Sequence, residues 1–254
     1  MKGNFHRFDA HVHVGKWQTP DFAGRSSDLD DVSSVLADAG LTGALLMPTD
    51  AVDNQGLLEA IRAFDTDMNL LFAAWIDPEA PGLKAFLDHG DVRALKFHPS
   101  FQRRPITDES FRPFLELAAR RGLPVVVHCG RWREVAGFEL ALEAASRYPG
   151  VPFVLSHMGG DSAELVLGAA RAIGDNHLQN VYLGTESIRE YWLVQRALDI
   201  VGPRRVVFGS DHNLNHPASF LAVVEALDIS SAERNLVLGG NAKRLFGSGS
   251  GPGA

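Results

Sequence analysis

With a single cysteine in 254 residues, no intramolecular disulfide framework can staple this chain, and a reducing cytoplasm is the expected setting. No stretch approaches the roughly 20 apolar residues of a membrane span. The opening MKGNFHRFDA has no apolar core of the kind a secretory signal needs, so none is expected. Basic residues are outnumbered, 24 Lys and Arg against 31 Asp and Glu, and a net charge of −7 argues against a nucleic-acid partner. The Gly-x-Ser-x-Gly pattern of serine-hydrolase elbows is missing. Neither a linker-like change of composition nor a short repeat divides the sequence. The expectation is one domain over residues 1–247, followed by a flexible Gly/Ser tail at 248–254.

What is present is an alternation. Short apolar runs that read as strands fall at Arg7–Val14, Gly43–Met47, Leu70–Ile76, Val92–His98, Pro124–His128, Pro152–His157, Asn180–Leu183 and Arg205–Ser210. Several, such as VVVH, FVLSH and VVFGS, are almost continuously apolar, as suits parallel strands covered on both faces. Amphipathic helical patterns lie between them. One opens with Ser27 as a capping residue and closes at Gly40, another ends at Gly122, and a last one over Ala232–Phe246 would close the domain. Eight strands alternating with helices, in a chain near the roughly 250 residues typical of the fold, predict a (β/α)8 TIM barrel. The competing open doubly wound sheet calls for a glycine-rich phosphate turn after its first strand. Here that strand carries histidines instead.

The polar exceptions to these strands sit at their C-terminal ends. His11 and His13 in FDAHVHVG share a strand face under period-2 alternation and could grip a divalent metal together. Asp9 has the same parity one rung lower, where a carboxylate could orient an imidazole. Lys96 and His98 end the fourth strand, His128 the fifth and His157 the sixth, and Asp211 follows the eighth. In a barrel that rim is where catalytic groups converge. Each residue alone could be a buried polar group satisfied by hydrogen bonds. All of them at one rim would be costly to bury without a shared purpose.

The phrases DAHVHVG, KFHP, VHCG, SHMGG, GSD and GGNAKRLFG, in that order, make the chain resemble the amidohydrolase superfamily of metal-dependent enzymes. Within it, they look like the amidohydrolase-related branch that holds the aminocarboxymuconate-semialdehyde decarboxylases and pyrone dicarboxylate lactonases. The resemblance implies that His11, His13, His128 and Asp211 hold one divalent metal ion. It makes His157 the histidine that polarises substrate or moves protons. Three imidazoles, a carboxylate and water suit Zn²⁺, and Mn²⁺ or Fe²⁺ also fit. Binuclear members carboxylate a fourth-strand lysine to bridge two metals. Lys96 is read here instead as a free ammonium that attracts an anion or a developing oxyanion. The departure GSDHNLNHP from the family's GSDYP-like phrasing leaves the substrate open.

Loops beyond the rim add Lys16, Trp17, Arg103, Arg104, Arg131, Arg133, His212 and His216. Basic loops on a net-acidic protein suggest a small, anionic, carboxylate-bearing substrate. Arg131, three residues after His128, is the expected guanidinium partner, with His98, Trp17 and His212 also facing substrate and Phe101 on a pocket wall. Cys129 has the opposite parity to His128 and reads as a small core residue. The leading expectation is hydrolysis of an amide, lactam, lactone or ester, with Asp211 taking a proton from the attacking water and His157 steadying the oxyanion. Non-oxidative decarboxylation of an aromatic or dienoic acid would use the same residues. A non-catalytic binding barrel is the third reading. A homodimer is left open.

Overall fold

The computed structural model describes residues 6–22, 24–130 and 132–247. Eight parallel strands follow one another around the sheet: β1 (Phe8–Lys16), β2 (Gly43–Pro48), β3 (Asn69–Trp75), β4 (Val92–Phe97), β5 (Val125–Val127), β6 (Phe153–Leu155), β7 (Val181–Gly184) and β8 (Val206–Val207). A two-residue strand at Ser26–Ser27 turns back antiparallel on the end of β1. The segment after β8 closes the ring against β1. Ala10 N–H donates to Phe208 O at 2.9 Å and Asp211 N–H to His11 O at 3.0 Å, with a parallel bridge between Val12 and His212. The chain folds as a (β/α)8 barrel.

Side-chain alternation sorts the apolar residues into two layers. The inward layer gathers Phe8, Ala10, Leu45, Met47, Ala73, Ala94, Val126, Val154 and Val207. Ala242, Leu245 and Phe246 from the last helix join this layer, so the C-terminal helix plugs the bottom of the lumen. The other layer, between strands and helices, is larger and contains Val12, Leu95, Phe97, Val127, Leu155 and Leu183. Tight inward packing at one end leaves the C-terminal rim as the end free to carry polar groups.

Phe8 and Ala10 point into the lumen low on β1, yet Val12 belongs to the outer layer. Strict alternation would put all three on one face. The register against β2 explains the switch: Asp9 pairs with Ala44 but Val12 pairs with Leu46, so three steps on β1 match two on β2. This β-bulge inserts one residue and re-aims everything after it. It turns His11 and His13 inward above the apolar layer. It also takes Asp9 out of their row, which corrects the expectation that Asp9 orients an imidazole.

Other expectations shift in detail. Asp28, not Ser27, caps the helix Leu29–Asp38, through a reciprocal box with Asp31. Ser27 is spent in the short antiparallel strand. The final run is helical over residues 231–246 but passes through a π-helical segment, Leu236–Gly240, between α-helical Ser231–Asn235 and Asn241–Phe246. The Gly/Ser tail at 248–254 lies outside the described residues.

Phe246 is 1 % exposed and seals the lumen beneath Phe8. Truncation of a buried aromatic typically costs about 3–5 kcal/mol. Phe246→Ala is therefore expected to lower the denaturant midpoint sharply, whereas Phe101→Ala, at an exposed rim position, leaves it nearly unchanged.

Candidate metal centre and its cavity

At the C-terminal rim a cavity of about 960 Å³ opens above the inward apolar layer, with His11, His13, Lys96, His98, His128, His157 and Asp211 among its walls. The ligand atoms of His11, His13 and Asp211 lie within 4.8 Å of one another, the one such group among the described residues. His11 Nε2 is 3.2 Å from His13 Nε2. Asp211 Oδ1 is 3.7 Å from the first and 3.5 Å from the second.

The outer nitrogens of the two rings identify what this arrangement can hold. His13 Nδ1 stands 2.8 Å from Pro48 O, which can only accept, so that nitrogen carries the proton and Nε2 presents a lone pair. His11 Nδ1 faces the Glu186 carboxylate at 3.1 Å in the same way. Two lone pairs and a carboxylate oxygen thus face a common point, which is unfavourable unless a cation stands there. A tetrahedral ion with bonds of about 2.1 Å spaces its ligand atoms by roughly 3.4 Å. The observed separations of 3.2–3.7 Å fit that donor set. Among the described residues, Lys96 brings a cationic group to this point, its Nζ 3.2 Å from His11 Nε2.

His128 shares the cavity but stands apart from the trio, its Nδ1 3.1 Å from His157 Nε2. Its ring stacks on His98, centroids 3.9 Å apart, and His98 in turn stacks on Trp75. His157 is not on a strand. It follows β6 in a tight turn with φ 57° and ψ 31°, uncommon for a residue with a side chain. Asp211 is likewise at positive φ, and Ser187 Oγ donates to its Oδ2 at 3.0 Å.

Burial dominates the electrostatics. It pushes His11, His98 and His128 well below the usual histidine range, with Lys96 and neighbouring imidazoles adding to the effect. Neutral rings are what metal ligation requires. Burial also lowers Lys96 to about 8, against the pull of Asp211 and Glu186. For Asp211 burial works upward, but the imidazoles of His13, His11 and His157 around it outweigh that and hold the carboxyl well below the usual carboxylate range. Burial raises Glu186 and Asp9. It also pushes the Cys129 thiol up, in keeping with a core residue of the outer layer.

Trp17 is buried, edge-on to His13 at 4.8 Å, and donates from Nε1 to Asn213 Oδ1 at 2.7 Å. Asn213 Nδ2 donates to Ser27 Oγ at 2.8 Å, so one amide locks the hairpin after β1 over the site. Phe101 and Arg103 line the cavity. Arg104 and Arg133 are instead paired with Glu79 and Glu139, and His216 accepts from Ala218 N–H at a helix start. His212 does not line the cavity. Its Nδ1 faces Asn215 O at 3.1 Å, because its backbone is used to close the barrel against β1. Arg131 lies outside the described residues.

Sequence reasoning overlooked Glu186, Ser187 and Arg189, in the connection after β7, and the half-exposed Trp132 and Trp192 at the mouth. The signal for Glu186 was available. It follows Tyr182 and Gly184 at period 2, so an inward strand row ends in a carboxylate.

A family model described as amidohydrolase matches residues 8–248. Comparison with curated proteins gives no match. Among solved structures, a putative 2-pyrone-4,6-dicarboxylic acid hydrolase from Pseudomonas putida superposes with TM-score 0.77 at 20% identity, covering 96% of this chain and 98% of that one. An amidohydrolase from Burkholderia multivorans with bound zinc gives 0.74 at 18%, covering 94% and 98%. A dihydroxybenzoic acid decarboxylase from Polaromonas with bound manganese and an inhibitor gives 0.72 at 17%, covering 97% of each chain.

Asp9 supplies a pH test of the frame beneath the centre. Its Oδ1 accepts from His11 N–H at 3.1 Å and Ser210 N–H at 3.0 Å, while Oδ2 has no partner. Burial raises the carboxyl from 3.8 to about 7. A carboxyl raised on folding contributes stability that is complete below its unfolded pKa and is lost as pH rises through the folded one. Metal-free protein should therefore lose several degrees of Tm between pH 4 and 7 relative to Asp9→Asn, at roughly 2–4 °C per kcal/mol. Parallel melting curves for the two proteins across that window would exclude the effect.

Proposed function

The chain belongs to the amidohydrolase family, and on that footing we propose that it is a metal-dependent hydrolase of a C–N or C–O bond in a small carboxylate-bearing molecule. The observation that carries this reading is the His11–His13–Asp211 donor trio, opening into a cavity with a buried lysine at its edge. The trio would hold one divalent ion, zinc or manganese by analogy with the metals in the similar structures, and His128 would complete the set. Such an ion supplies a Lewis acid for water activation and carbonyl polarisation.

The chain's own residues supply the rest. Ser187 Oγ donates to Oδ2 of Asp211 and fixes the carboxyl with Oδ1 toward the donor trio, and this carboxyl accepts a proton from the attacking water. The same carboxyl then returns that proton to the leaving group. His157, its ring centroid 6.2 Å from that of His11, steadies charge developing on the carbonyl oxygen. Lys96 and Arg103 provide positive charge for a substrate carboxylate, one at the floor and one at the mouth. Arg131, next in sequence to the cavity-lining Gly130, is kept as a further partner for that carboxylate. Trp17 and the hairpin around it limit water at the site. The buried, unpaired Cys129 suits a reducing cytoplasm.

Decarboxylation of an aromatic acid is the second reading. The aromatic lining of the cavity, with Trp17, Phe101, Trp132 and Trp192, favours it, since such rings could pack a planar substrate. Water separates the two reactions. A hydrolysed carbonyl takes one oxygen from solvent, whereas decarboxylation releases CO₂ and leaves a proton on carbon.

Purified protein is expected to carry about one equivalent of a divalent ion by elemental analysis, and a His11→Ala, His13→Ala double variant should lose it while remaining folded. Full turnover of the wild type in chelator would sink the metal reading. Turnover in ¹⁸O-labelled water should place one label in the product acid without CO₂ in the headspace. CO₂ with an unlabelled organic product would establish the decarboxylase instead.

A further inference from the structure

Glu186 is fully buried and has no part in the chemistry assigned above. It follows β7 in the inward row, and two glycines make its room. A Cβ on Gly209 would stand 2.7 Å from Glu186 Oε1, and one on Gly184 would come closer still. Both carboxylate oxygens are used. Oε1 lies 3.1 Å from His11 Nδ1, and Oε2 accepts the backbone N–H of His157 at 3.1 Å. The carbonyl of Glu186 is in turn 3.2 Å from His157 Nδ1.

We propose that Glu186 is the positioning residue of this site: it fixes His11 in the Nδ1–H tautomer and holds the turn that carries His157. A neutral imidazole has one proton and two nitrogens, and the proton goes where an acceptor waits. Without a carboxylate at Nδ1, a competing acceptor exists on the other side, because His13 Nε2 is 3.2 Å from His11 Nε2. A proton shared between those two nitrogens would satisfy both rings and abolish the metal site. Glu186 weighs most against that state, with Ser156 Oγ the more distant partner of Nδ1 at 3.4 Å and Lys96 Nζ 3.2 Å from Nε2. Its second oxygen binds the N–H of a residue held at φ 57°, where the turn needs outside support. One side chain therefore sets the lone pair of a ligand and the place of the histidine across the cavity. The metal part of this inference rests on the proposal that the trio holds a divalent ion.

The test compares wild type, Glu186→Gln and Glu186→Ala. Zinc affinity is read by competition with a chromogenic chelator, and the His11 tautomer by long-range ¹H–¹⁵N correlation in metal-free protein. Wild type should show protonated Nδ1 on His11. Both variants should stay folded by circular dichroism yet bind zinc about 10–100-fold more weakly. Glu186→Ala should gain His11 protonated on Nε2, and added formate should restore part of its affinity by filling the recess. Formate should do nothing for Glu186→Gln, whose amide fills the same space but cannot accept from both N–H groups. Variants with wild-type affinity and unchanged His11 signals overturn the proposal. So does weakened binding with His11 still protonated on Nδ1 and no formate rescue, which marks general damage. A wild type that takes up no zinc defeats the metal reading, and the tautomer comparison then decides the role of Glu186 by itself.

Discussion

Two imidazole lone pairs and a carboxylate oxygen directed at one point form a concentration of negative potential that an empty interior could not sustain. The rest of the rim is arranged around that requirement. Pro48 O and Glu186 take the outer protons of the two rings, so neither histidine can relieve the crowding by presenting a proton inward. Lys96 stands beside the point as the chain's own cation. Burial keeps the neighbouring rings of His98 and His128 neutral, so they do not compete with a metal for that potential. The centre is in this sense a cation site before it is a catalytic one.

A single inserted residue in β1 makes this possible. Below the bulge the strand gives Phe8 and Ala10 to the inward apolar layer; above it the strand gives His11 and His13 to the rim. Regular pleating would have sent either the apolar pair or the histidine pair outward. The bulge lets one strand serve the packed core and the polar mouth in succession, and it leaves Asp9 free to tie the backbones of β1 and the closing segment together.

This division explains what could be read from the sequence. Eight short apolar runs with helices between them carry the barrel in their composition, and residues at strand ends carry the rim. His11, His13, Lys96, His128, His157 and Asp211 are all brought to one cavity for that reason. Period-2 counting misplaced Asp9, because a bulge has no mark in residue type. It could not foresee that His212 spends its position on closing the ring, since that depends on a pairing two hundred residues apart. Glu186 was passed over because the short link between a strand and a helix looked like connection only. The two glycines that make room for it, Gly184 and Gly209, belong to different strand ends and mean nothing until they meet.

Phe8 and Phe246 share one inward cluster, and Asp211 reaches His11 only once the ring has closed. The contacts that complete the barrel therefore join nearly the first described residues to nearly the last. At roughly 5–20 residues per second of synthesis, the early histidines wait on the order of tens of seconds for the segment that encloses them. During that interval the nascent chain exposes unpaired edges of β1 and whichever strand has most recently emerged, the state most open to wrong pairing. The centre is thus assembled only after the segment that carries Asp211 has emerged. Any pool of free metal meets an incomplete pair of histidines well before it meets the finished site.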